Sequence, residues 1–162
     1  MTGFERFSHR INEYLLYLGG LCLVGMVALT CANIGLRLIW RPISGTFELM
    51  GFLGAVVTAF ALGYTQIKKG HIAVDVLIDT FSPKTRRGLS LVNGLLSLAF
   101  AILCAWQMAV KSWTLQVTGE VTETLRIIYH PFTYGAALGL ALLGLVFLAD
   151  VVGFLAAGGK ED

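Results

Sequence analysis

GTFELMGFLGAVVTAFALGYTQIKKGHIAVDVLID, residues 45 to 79, sets the class of this protein. Its middle, Leu49 to Ile67, is an almost unbroken apolar run. That is close to the ~20 residues an α-helix needs to cross a bilayer's hydrocarbon core. Gly51, Ala55, Ala59 and Gly63 recur at every fourth position within it, so they form one ridge on a helix face. Lipid tails give helices no hydrophobic reason to associate, and small residues let backbones approach closely. The stretch predicts a membrane helix shaped to pack against another helix.

Glu48 stands at the mouth of this run. Two readings are open: a carboxylate favoured by the helix macrodipole and its unpaired N–H groups, or a specific contact with another subunit. Lys68 and Lys69 close the span. Beyond them, Ile72, Val74 and Val76 alternate as in a strand, while Asp75 and Asp79 stand one helical turn apart. A short interfacial segment is expected there.

The whole chain agrees with a membrane protein. Of its 162 residues 56% are hydrophobic and 14% are charged, against about 25% charged in ordinary soluble domains. A net charge of +2 gives no reason to invoke nucleic acid, and the basic residues sit at the ends of apolar runs, where they act as topology signals. Cys22, Cys31 and Cys104 lie inside apolar runs without CxxC spacing, as small buried hydrophobes do. The first apolar run is too long for a signal-peptide core, and no A-x-A-like site follows it.

Four spans are expected in a single domain covering 1–162, at about 14–36, 49–67, 89–110 and 132–155. Before the first, Phe4, Phe7 and Ile11 keep helical spacing, so the leader is expected to lie on the membrane surface and then turn in. Tyr14, Tyr17 and Trp40 mark interfaces, and Asn33 lies near the far end of the first span. Ser82-Pro83 is a helix start, with the hydroxyl as N-cap and proline in the first turn. The third span has its own small ridge, Ser97, Ala101, Ala105 and Ala109. A polar loop runs from Thr114 to His130, and Gly135 and Gly139 then form a GxxxG pair in the fourth span.

With four spans both termini share a side. That side holds Arg6, Arg10, Lys68, Lys69, Lys84, Arg86, Arg87 and Lys160, and the other holds Arg37, Arg41, Lys111 and Arg126. The excess predicts cytoplasmic termini. The fold class expected is therefore an all-α integral membrane protein, with four transmembrane helices, an interfacial segment between the second and third, and both termini inside.

Catalytic and coupling chemistry is scarce. Pumps and exchangers place an ionisable group deep in a span, and here the span centres have none. Asp150 lies near the cytoplasmic end of the fourth span, where it reads as interfacial. His9, His71 and His130 fall outside the spans or at their edges, so haem has no axial ligands within the bundle. Neither a metal-ligand cluster nor a GxSxG or HExxH motif appears. The expectation is a protein that is not an enzyme, has no cofactor, and holds or completes another protein.

The order of features then becomes informative: Arg37 after the first span, Pro42, Glu48-Leu49 opening the second, Gly54-Ala55 within it, and Gly70-His71-Ile72 with Val74-Asp75 beyond. This resembles the small membrane subunit, Q-type or DctQ-like, of tripartite ATP-independent periplasmic (TRAP) transporters. The likeness covers most of the chain and is strongest from Arg37 to Asp75. Many members carry a second acidic residue beside the first; here the neighbours are Phe47 and Leu49.

The resemblance implies a bacterial inner-membrane protein taking part in sodium-coupled uptake of organic acids, C4-dicarboxylates and sialic acid among them. A periplasmic substrate-binding protein captures the solute. The large TRAP membrane subunit carries the substrate and sodium sites and moves as an elevator. The small subunit packs against its static scaffold and helps to dock the binding protein. Arg37, Glu48, Gly54, Gly70, His71 and Asp75 match the family pattern as candidate subunit contacts, with a solvated interfacial histidine as the plainer reading of His71. Gly51, Ala55, Ala59, Gly63, Gly135 and Gly139 are the candidate helix-packing positions. No substrate ligand is expected in this chain, and its other surroundings are membrane lipids. The alternative is a four-helix exporter that assembles with itself and works without a partner.

Overall fold

The computed structural model describes residues 3–68 and 82–158. It contains four helices: α1 Gly3–Ile39, α2 Thr46–Ile67, α3 Pro83–Thr118 and α4 His130–Gly158. Each is long and apolar enough to cross a membrane, and the described residues hold no strand beyond one isolated bridge between Val121 and Ile128. This is an all-α membrane protein. The segment between α2 and α3 that carries Gly70, His71 and Asp75, and with it the expected interfacial element, lies outside the described residues.

The leader does not turn into the membrane as expected. It is the first part of α1, one helix of 37 residues. No proline interrupts it, and the Asn12 side-chain amide donates to the Ser8 carbonyl at 2.9 Å, tying leader to span within the helix. At 1.5 Å per residue, α1 and the 36-residue α3 each run for about 54 Å, well beyond a ~30 Å hydrocarbon core. Helix α3 starts at the Ser82 cap, whose hydroxyl accepts from the Thr85 N–H at 3.4 Å. It continues through Thr114 to Thr118, so the polar loop begins later than its composition suggests. Thr114 and Thr118 satisfy their hydroxyls on carbonyls one turn back, at 3.1 and 3.0 Å. Gly119 then ends the helix at φ 65, its N–H donating to the Leu115 carbonyl, a left-handed cap that a glycine adopts without Cβ strain.

The helices pack as a row: α1 on α2, α2 on α4, and α4 on α3, with a lesser α1–α4 contact. The sequence of α4 accounts for its inner place. It is apolar all round, as a helix must be when its neighbours surround it, and it buries Ala136, Ala137, Leu143, Val146 and Val151. The flanking helices are the opposite case: Leu21 and Val24 of α1, and Leu96, Phe100 and Trp106 of α3, are exposed apolar residues. In a membrane such faces meet lipid or another protein, not water.

Candidate functional site

The end of the bundle where α2 begins carries the densest polar construction. The α1–α2 connection is held first: the Asn33 side-chain oxygen accepts from the Ile43 N–H at 2.8 Å, and the Thr46 hydroxyl donates to the Ile43 carbonyl at 2.8 Å. Gly45 then caps α2 in the left-handed conformation, φ 75, without a side-chain cap. Its bare α-carbon is needed because a Cβ there would run into the Leu125 side chain.

Leu125 belongs to the segment between α3 and α4, which folds back as a small hairpin. Val121 bridges Ile128, the Thr122 N–H donates to the Ile127 carbonyl at 2.9 Å, and the Ile127 N–H donates to the Thr122 hydroxyl at 3.1 Å. Arg126 makes the reversal at φ 53. Glu48 closes this hairpin onto α2. Its two carboxylate oxygens accept the backbone N–H groups of Thr124, at 2.7 Å, and Leu125, at 3.0 Å. Charge-assisted bonds of this kind are the stronger class of hydrogen bond. Below them, Phe52 is buried and stacks on Phe132 with ring centres 4.2 Å apart, while Tyr129 meets its ring edge-on at 5.3 Å.

Glu48 therefore does something neither sequence reading contained: it binds the backbone of a loop 76 residues further along. Thr122 and Gly45 also belong to this site and were not singled out. The available signals were the glycine immediately before α2 and the apolar residues Val121 and Ile127-Ile128 flanking the TETLR tip. Gly45→Ala is expected to lower the unfolding midpoint by more than Gly119→Ala. Both impose the left-handed backbone cost of about 1–2 kcal/mol, but open space surrounds Gly119 whereas at Gly45 the loop must also be pushed aside. Equal midpoints by thermal unfolding in detergent would rule out that added displacement.

The other named positions divide. Arg37 is exposed in the last turn of α1, and Gly54 is half-buried, its missing Cβ facing Met26 at 3.6 Å. On the α2 ridge, Ala59 and Gly63 are buried while Gly51 and Ala55 are exposed. Ala59 meets Gly139 of α4 so closely that a Cβ on that glycine would lie 2.6 Å from the Ala59 carbonyl oxygen; at Gly135 the nearest atom, on Val56, is 3.7 Å away. Gly63 receives the buried Asn12 side chain, which leaves no room for a Cβ. Asp150, at the far end, accepts from the Gln66 side-chain amide at 2.9 Å, joining α4 to α2.

No group of three or more His, Cys, Asp or Glu able to hold a metal occurs among the described residues. The arrangement positions helices and one loop. Comparison with curated proteins and with solved structures gives no match in either. The model of the DctQ component of the tripartite ATP-independent periplasmic transporters matches residues 26–157, from within α1 almost to the end of α4. The chain belongs to this DctQ family of small transporter subunits.

Proposed function

We propose that this chain is the scaffold subunit of a sodium-coupled, binding-protein-dependent transporter for organic acids, packed against a large elevator-type permease subunit in a bacterial inner membrane. The family match over residues 26–157 carries the reading. One structural fact supports it: both flanking helices expose apolar surface along their length.

On this reading both termini are cytoplasmic, from the excess of Lys and Arg on their side, and the Glu48 hairpin faces the periplasm. Gly51 and Ala55 are the part of the α2 ridge still open to the large subunit, while Ala59, Gly63 and Gly139 serve the chain's own packing. Arg37, Gly54, Gly70, His71 and Asp75 are candidate contacts. Glu48 acts indirectly, by giving the hairpin its shape. Substrate choice and sodium binding reside in the partners.

The test is recovery from native membranes. A chain tagged at its C-terminus and extracted gently is expected to bring down a large polytopic permease in equal amount. Sodium-dependent uptake of an organic acid should then require both chains and a periplasmic binding protein. A chain that is recovered only with copies of itself, and that moves solute unaided, would make it an exporter.

A further inference from the structure

Helices α1 and α2 do not close against each other along their whole length. Between them lies a groove of 520 Å³ whose walls include Leu16, Gly19, Gly20 and Val24 of α1 and Val57 and Ala61 of α2. Its depth comes from missing side chains. Gly19 lets α1 settle on Phe60 and Val57, and around Gly20 a Cβ would meet nothing within 4 Å. From Leu16 to Val24 the groove extends for about 12 Å along α1, close to the ~15 Å depth of one leaflet's hydrocarbon.

Following the groove toward the start of α1 brings it to charged residues of both signs. On α2, Val57, Ala61, Tyr64 and Lys68 succeed one another at four, three and four residues, so they share one face. The Lys68 ammonium stands 5.6 Å from the centre of the Tyr64 ring, which keeps the charge on that face. On α1, His9, Glu13, Leu16 and Gly20 follow the same spacing, with Glu13 exposed and Arg10 exposed beside them. The two helix faces that wall this slot thus lead on, at the same end of the bundle, to Glu13 and Arg10 on α1 and to Lys68 at the end of α2.

We infer that this groove is the binding site of a single phospholipid with a zwitterionic, primary-amine headgroup of the ethanolamine type. One acyl tail lies over Gly20 and Ala61. Lys68, with Arg10, receives the phosphate, and Glu13 receives the ammonium. Both charges of such a headgroup find a complement. A glycerol headgroup offers Glu13 no cation, and a choline headgroup offers it a cation without an N–H to donate. The inference stands apart from the transporter reading, since it concerns only this chain's own helices.

Native mass spectrometry of the delipidated full-length chain tests it, with ethanolamine, glycerol and choline phospholipids of identical tails as probes. One ethanolamine lipid is expected to bind about tenfold more tightly than either of the others, the worth of one hydrogen bond to a charged group. Gly20→Leu, which projects into open space, should remove that bound lipid while leaving the unfolding midpoint unchanged. Glu13→Gln and Lys68→Gln lie beyond the groove walls, and together they should abolish headgroup preference without emptying the groove. Equal binding of the three lipids by the unaltered chain would overturn the inference. So would an undiminished lipid signal in Gly20→Leu, or displacement by that variant of a co-purified protein and not of lipid.

Discussion

Gly139→Leu is expected to separate the fourth helix from the second and to give the largest loss of stability of any single change considered. The first atom of the new side chain already lies 2.6 Å from the Ala59 carbonyl oxygen, 2.7 Å from its carbon and 2.8 Å from its Cβ. Two of those three atoms are backbone, so no rotamer change can relieve the contact, and the helices must move apart. Forced overpacking of this kind costs about 1–3 kcal/mol, and the rest of the leucine side chain adds to it. The loss is amplified because association inside lipid depends on close packing, with no water to drive the helices back together. Gly135→Ala is the control: its Cβ would make an ordinary 3.7 Å contact with Val56. Thermal unfolding in detergent should show Gly139→Ala well below the parent, Gly139→Leu lower still, and Gly135→Ala near it. Equal effects of the two alanines would mean that the α2–α4 crossing is not at Ala59.

Glu48→Ala is expected to free the hairpin while leaving the bundle folded. It removes both acceptors at once, so the Thr124 and Leu125 N–H groups must find water. Amide hydrogen exchange at these two residues should rise to the rate of the exposed tip. The Thr122 N–H, which donates to the Ile127 carbonyl within the hairpin, should change less. Glu48→Gln should fall between, since its amide oxygen can still accept one N–H while its NH₂ cannot accept the other. Protease cleavage after the exposed Arg126 gives a second readout, faster in Glu48→Ala. If exchange at Thr124 and Leu125 stays at its original rate in that variant, the carboxylate does not hold the loop. Because Phe52, Phe132 and Tyr129 pack beneath the hairpin independently of Glu48, the unfolding midpoint should move far less than in Gly139→Leu.

How much of this could be read from residues alone follows from the range of the forces involved. The four spans were legible because bilayer thickness sets a length that apolar runs must meet, and the cap at Ser82 is a local event. The continuity of α1 was harder, since Phe4, Phe7 and Ile11 suit a surface helix and a continuing one equally; what decides is the absence of any break before Tyr14. Glu48 shows the stronger limit. Its own helix offers a sufficient local reason for a carboxylate at that position, so nothing near it pointed to Thr124 and Leu125. The small ridge was legible as a ridge, but its division into a buried half, Ala59 and Gly63, and an open half, Gly51 and Ala55, depends on where α4 crosses Ala59 and where Asn12 of α1 meets Gly63. Those contacts are properties of the fold and not of the repeat.

The row of helices also bears on how the protein is made. One of its two inner members, α4, follows α1, α2 and α3 in the chain and is therefore synthesised after them. Until α4 arrives, α2 has only α1 to lean on, and α3 waits in the lipid without its principal neighbour. A half-made chain therefore lacks part of its mature arrangement, and until α4 arrives the seam at Ala59 has no Gly139 to close on, while Gly63 already has Asn12 of α1. What such a copy leaves open to lipid is the Ala59 face of α2, the surface that Gly139 of α4 later covers.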